Sequence, residues 1–170
     1  KIFRIILSAL LAVSPAFSFD WPQAEVMSDS FYSYFGQLRG GTISDSLIFS
    51  EPSEIKAADS GKVIVVISEA NDDSVFFQST LGNAVIVAHQ ESLLTVYGNI
   101  DGETIPPDLY KGTEVSTGSP LGSSGSSGWQ QKQSRLEFQV IDTKNNTAIN
   151  PRVLMPRIGK ELPLVFSGTY

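Results

Sequence analysis

The sequence contains no cysteine and a single histidine, His89. Disulfides, thiolate nucleophiles and cysteine-bound metals are excluded. So is any site that needs two histidines from one chain. Basic residues are scarce as well: 12 Lys and Arg against 18 Asp and Glu leave a net charge of −6 at pH 7. That balance argues against a nucleic-acid binder, which needs a basic stripe. Long uninterrupted helical patterns are missing. There is no phosphate-cradling glycine loop, dinucleotide fingerprint or helical zinc motif. Asn71-Asp72-Asp73 lacks the spacing and terminal Glu of a calcium loop and reads as solvated.

What is present suits one globular domain. The chain has 170 residues, 41% of them hydrophobic, with 14 Gly and 9 Pro. This points to a turn-rich, mainly β protein with little helix. Residues 1–18 read as a secretory signal. Lys1 and Arg4 form a basic start, Ile5 opens a short apolar run, and Ala16-Phe17-Ser18 offers small residues to a peptidase. Lipoprotein processing is excluded, since it needs a Cys. Membrane contact is then expected only through this signal, before cleavage.

Residues 19–42 form an aromatic, Pro- and Gly-broken extension, expected to cover one edge of the core and to hold a strand ending near Gly36. Short strands follow. Strands are expected at 47–49, at 54–58, at 62–67 (a β-branched run buried on both faces), at 75–78 and at 112–117. Residues 84–88 and 93–97 should pair as a hairpin across His89. Residues 120–122 begin a turn, and the Ser-Ser-Gly-Ser-Ser-Gly run at 123–128 reads as a flexible connector. Residues 156–170 form a Pro-interrupted tail.

The stretch 134–140, Ser-Arg-Leu-Glu-Phe-Gln-Val, organises the rest. Its period of two puts Leu136, Phe138 and Val140 on one face and Arg135, Glu137 and Gln139 on the other. The apolar face should enter the core. The polar face should form the floor of a groove.

Residues 43–155 resemble the LytM/lysostaphin-like peptidoglycan metalloendopeptidases. The landmarks stand in that family's order. They are Ser50-Glu51-Pro52 with the segment 55–63; Gly82-Asn83 leading to His89; Leu94-Thr95-Val96-Tyr97-Gly98-Asn99; Lys111-Gly112-Thr113-Glu114-Val115; Gly118-Ser119-Pro120-Leu121-Gly122; the strand 134–140; and the closing Asn150-Pro151. The resemblance implies a compact antiparallel β-sheet. In the family, one zinc is held by a His and an Asp spaced four apart and by the second His of His-x-His. Two further histidines assist the attacking water.

Here Ser44 stands for the first ligand and Ile48 for the Asp. Glu137 replaces the ligand His of His-x-His, Arg135 its first His, and Asn99 the His after Tyr97. A one-residue slip would place Asp45 and Phe49 at the first pair instead. Neither register restores a ligand set, and Arg135 would set a permanent positive charge beside a metal. The resemblance therefore implies a catalytically inactive member with no metal and no cofactor. Its vestigial groove is expected at Ser44, Ile48, Tyr97, Asn99, Arg135 and Glu137, with Arg135 able to pair with a peptide carboxylate. Peptidoglycan, a cell-wall hydrolase or another envelope protein is the implied partner, in the periplasm or cell envelope of a bacterium. Regulation of a cell-wall hydrolase is one such role. Two alternatives stand beside it. One is an active hydrolase with a displaced site drawn from Asp45, Glu51, His89 and Glu137. The other is a structural β module whose groove is filled by its own tail.

Overall fold

A computed structural model describes residues 19–68, 80–128 and 133–158. The signal-like segment, the 75–78 strand candidate and most of the 156–170 tail lie outside those residues. Twelve short strands make up the described chain. In order they are β1 Phe31–Ser33, β2 Leu38–Arg39, β3 Thr42–Ile43, β4 Leu47–Phe49, β5 Glu54–Lys56, β6 Gly61–Ile67, β7 Ala84–Ala88, β8 Leu93–Gly98, β9 Glu114–Val115, β10 Pro120–Ser123, β11 Glu137–Asp142 and β12 Thr147–Ile149.

The main sheet runs β1-β4-β11-β8-β7-β6-β9, and β12 joins it alongside β11. Its pairings are antiparallel. The organising strand is therefore central. On one side β11 pairs with β8 along its whole length, from Glu137 opposite Gly98 to Asp142 opposite Leu93. On the other it is shared between β4, which faces Glu137 and Phe138, and β12, which takes Val140 to Asp142. The regular strand begins at Glu137 rather than at residue 134. Before it, the Leu136 carbonyl still accepts from the Phe49 amide, but the Arg135 amide turns to Gly125.

The alternation of β11 explains the core. Leu136, Phe138 and Val140 are buried, and the Phe138 ring packs on Tyr97 of β8 with centroids 5.3 Å apart. Side chains of this size stabilise the fold by about 1.5–3 kcal/mol each on full burial. Phe19, Trp21 and Phe31 add to the same core: Trp21 and Phe31 pack around Phe49, and the indole N–H donates to the Pro156 carbonyl at 3.0 Å.

Three local expectations are corrected. Strand β6 buries only Val63 completely; Ile64, Val65, Val66 and Ile67 stay partly exposed. Its register shifts between Val63 and Val65, which breaks the two-sided burial its composition suggests. Residues 120–123 are not a turn but strand β10, paired with β5. The run 123–128 is anchored rather than loose. Ser124 Oγ accepts from the Ser53 amide, Ser127 Oγ donates to the Ile100 carbonyl, and the Gly128 amide donates to Asn99 Oδ1. Gly125 passes so close to Asp101 that a β-carbon there would lie 2.5 Å from the Asp101 nitrogen. Small residues serve this run as a close-packed seam, where composition alone suggests slack.

Candidate functional site

The groove is built where β4 meets β11. Ile48 lies directly opposite Glu137 in the ladder. The β2–β3 hairpin closes the near side, turning through Gly40 and Gly41 at φ +56° and +85°. Those left-handed angles suit glycine and a two-residue hairpin. The chain then locks Ser44 in place: its amide donates to the Gln37 carbonyl at 2.9 Å, and its carbonyl accepts from the Gly36 amide at 2.7 Å. The result is a cavity of about 440 Å³ lined by Ser44, Asp45, Ser46, Ile48 and Glu137 together with Gly40, Thr42 and Ile43 of the hairpin.

Polar contacts across the floor fix the side chains. Ser46 Oγ donates to Glu137 Oε1 at 3.0 Å and lies 3.3 Å from Ser44 Oγ. Gln139 Nε2 reaches Asp45 Oδ1 at 3.4 Å and Glu137 Oε1 at 3.5 Å. Ile48 is only 4% exposed and, with the exposed Ile43, brings apolar surface to a wall otherwise made mainly of hydroxyls and carboxylates. Such a surface can take hydrogen bonds from a polar ligand while seating one small apolar group.

The six residues expected in the groove divide. Ser44, Ile48 and Glu137 line this cavity. Arg135 stands one pleat away. Its guanidinium lies over the Tyr32 ring, 3.6 Å from the centroid, and Nε donates to the Ser50 carbonyl at 3.4 Å. Tyr97 and Asn99 are placed elsewhere, both at 0% exposure. Tyr97 belongs to the core because Phe138 packs on its ring and its hydroxyl accepts from the Ala58 amide at 2.7 Å. Asn99 is spent on the backbone. Its Nδ2 donates to the Gly125 and Arg135 carbonyls at 2.6 Å, and Oδ1 accepts from Gly128 at 2.6 Å. At φ +62° it adopts the left-handed conformation that asparagine tolerates better than most residues.

Two residues that the sequence reading passed over matter here. Ser46 holds the Glu137 carboxylate, and Tyr32 supports Arg135. Tyr32 sits in an aromatic run read as edge cover, and no spacing rule ties it to residue 135. The register of β1, β4 and β11 does.

His89 lies at the opposite end of the β8–β11 ladder from Glu137, near Leu93. Its Nδ1 is 2.8 Å from the Ser60 carbonyl and its Nε2 2.7 Å from Thr95 Oγ1. A carbonyl only accepts, so Nδ1 carries the proton. Burial lowers the pKa of His89, against the raising influence of the Ser60 carbonyl and of Asp59, which favours the neutral ring. Nε2 lies beside the Thr95 hydroxyl, which donates to the Tyr97 hydroxyl at 3.1 Å; that oxygen also accepts from the Ala58 amide. Burial pushes Tyr97 up to about 12, so its hydroxyl keeps its proton. Of the displaced-site candidates, Asp45 and Glu137 share the cavity, while His89 belongs to this separate network.

The fold is an antiparallel β domain of the kind that carries zinc peptidases. The model of peptidase family M23 matches residues 46–151, and the chain belongs to that family. An uncharacterised protein of Treponema pallidum is 29% identical over 133 residues, covering 74% of this chain and 88% of that protein. Helicobacter pylori Csd3 superposes with a TM-score of 0.61 at 22% identity, over 84% of this chain. The match spans about a third of Csd3, 34% of its length. The structure of the SpoIIQ–SpoIIIAH pore-forming complex matches with a TM-score of 0.59 at 16% identity, over 85% of this chain and 94% of the matched chain. At these identities the structural matches speak for the fold.

The residues at the expected zinc position do not fit the metal. Ile48 offers no donor atom, and the Ser44 hydroxyl is engaged with Ser46. The Glu137 carboxylate accepts from Ser46 Oγ. Zinc sites of this kind need three nitrogen, sulfur or carboxylate ligands converging on one point. Among the described residues, no group of three or more His, Cys, Asp and Glu is placed to hold a metal ion.

Proposed function

We propose that this chain is a non-catalytic member of the M23 family. In this reading it binds rather than cuts, and its ligand is peptidoglycan or a partner in the bacterial envelope. The observation that carries the reading is the cavity between β4 and β11. Ser44, Ile48 and Glu137, which the resemblance sets at the family's zinc-ligand positions, line it together; they can hydrogen-bond and seat a ligand but do not make a zinc-ligand set. The cavity is large enough for a short stretch of peptide, and its wall mixes hydroxyls, carboxylates and the apolar side chains of Ile43 and Ile48. No metal or other cofactor is required for that role. A signal at residues 1–18 would deliver the domain to the periplasm or cell surface, and regulation of a cell-wall hydrolase is a role open to such a binder. That a protein of the same fold is found in a complex with another protein, SpoIIQ with SpoIIIAH, supports a protein partner as the second reading.

The test uses the purified protein. Its zinc content by elemental analysis should stay far below one ion per chain, and it should release no fragments from purified sacculi. It should pellet with sacculi, and Ser44→Trp, which fills the cavity, should reduce that pelleting several-fold. Stoichiometric zinc needed for turnover would overturn the non-catalytic reading. Unchanged pelleting of the Trp variant would move binding away from this cavity.

A further inference from the structure

Arg135 carries a consequence for what the groove holds and in which direction. Its guanidinium rests on the face of Tyr32 at 3.6 Å, and Nε is tied to the Ser50 carbonyl. Stacking and tether together fix the plane of the group, so a partner meets a donor edge already oriented. Among the described residues the Arg135 side chain meets Tyr32 and Ser50 and pairs with no carboxylate. Its Nη groups donate to no described residue, and the side chain is partly exposed. An arginine held this way presents two parallel donors, the geometry that suits a carboxylate.

The location gives this a direction. Arg135 and Glu137 alternate with the buried Leu136 and Phe138, so they share one face. Two residues along an extended chain span roughly 7 Å. Glu137 lines the cavity, and Arg135 stands one such step beyond it, beside Ser50 at the end of β4. A short extended ligand seated in the cavity would reach Arg135 with its end rather than its middle.

We propose that Arg135, supported by Tyr32 and Ser50, is the receptor for the C-terminal carboxylate of a peptide bound in the groove. The peptide's body lies over Ile48 and Ser44 and its chain runs toward Ser50. This rests on the groove-binding reading above and adds the ligand's chemical end, its orientation and a role for Tyr32.

The experiment is calorimetric titration of the intact protein with a synthetic peptidoglycan stem tetrapeptide, as the free acid and as its C-terminal amide. Sacculus pelleting is run in parallel. The free acid should bind at least about tenfold more tightly than the amide, the scale of one charge-assisted contact. Arg135→Gln should erase that preference, and Arg135→Lys should restore it only in part. Tyr32→Leu should weaken the acid several-fold while Tyr32→Phe keeps it. Melting temperatures confirm that each variant is folded. Equal affinity for acid and amide, or a preference that survives Arg135→Gln, overturns the proposal and leaves groove binding standing. Failure of both peptides with sacculus binding intact does the same. Failure of peptides and sacculi alike overturns both readings.

Discussion

Asn99 and Glu137 start from the same circumstance and end in opposite ones. Both stand where the resemblance to the family sets a histidine of the zinc site, and they lie close together at the Gly98–Glu137 pair. Asn99 is sealed at 0% exposure with its amide shared among three backbone partners. It fastens the 123–128 run to β8 and the start of the organising strand. Glu137 keeps its face on the cavity, held by Ser46. One residue serves as a structural clasp; the other forms a polar wall, because each position answers to its own burial.

The sharpest way to break that contrast is Asn99→Ala. It orphans the Gly125 and Arg135 carbonyls and the Gly128 amide, and it puts alanine at φ +62°. A loss of about 3–4 kcal/mol of unfolding free energy in urea is expected. A loss below about 1 kcal/mol would mean that the clasp does not hold the run. Tyr97→Phe comes next. It removes the acceptor shared by the Ala58 amide and the Thr95 hydroxyl, at an expected cost of about 1–3 kcal/mol.

His89 supplies a pH-dependent version of the same test. Its folded pKa lies below the ordinary 6.5, so the unfolded chain binds the proton first as pH falls. Its contribution to stability is complete above the ordinary histidine pKa and declines as pH drops through and below it. The physical event is local: the added proton puts a charge on a ring that burial holds neutral. Urea midpoints measured across that range should fall with acid in the wild type, and His89→Gln should flatten this part of the profile. The smallest effect on folding belongs to the groove. Ser44→Ala should change stability by less than about 1 kcal/mol while weakening sacculus binding, the reverse of Asn99→Ala. Equal losses of stability at the two positions would erase the distinction between clasp and wall.

Much of this was legible in the chain. The alternation of 134–140 identified the core face of β11, because a period of two leaves no other consistent placement. The hairpin 84–98 followed from two β-branched runs flanking a short polar turn. The groove was only half legible. Ser44, Ile48 and Glu137 share a cavity, but Tyr97 and Asn99 turned inward, and no local pattern separates a polar side chain facing a groove from one spent on nearby carbonyls. The 123–128 run misled for a related reason. Serine and glycine are the residues of slack linkers, and equally those that let two backbones approach closely.

The sequence by itself determined the β class and the two-faced central strand; with no cysteine and one histidine it offers no thiolate and no pair of histidines. The tertiary structure decided where the remaining polar groups go. It set Ile48 opposite Glu137, laid Arg135 on Tyr32, and buried Asn99 under the serine run. Those contacts join residues dozens of positions apart, and only strand register brings such residues together.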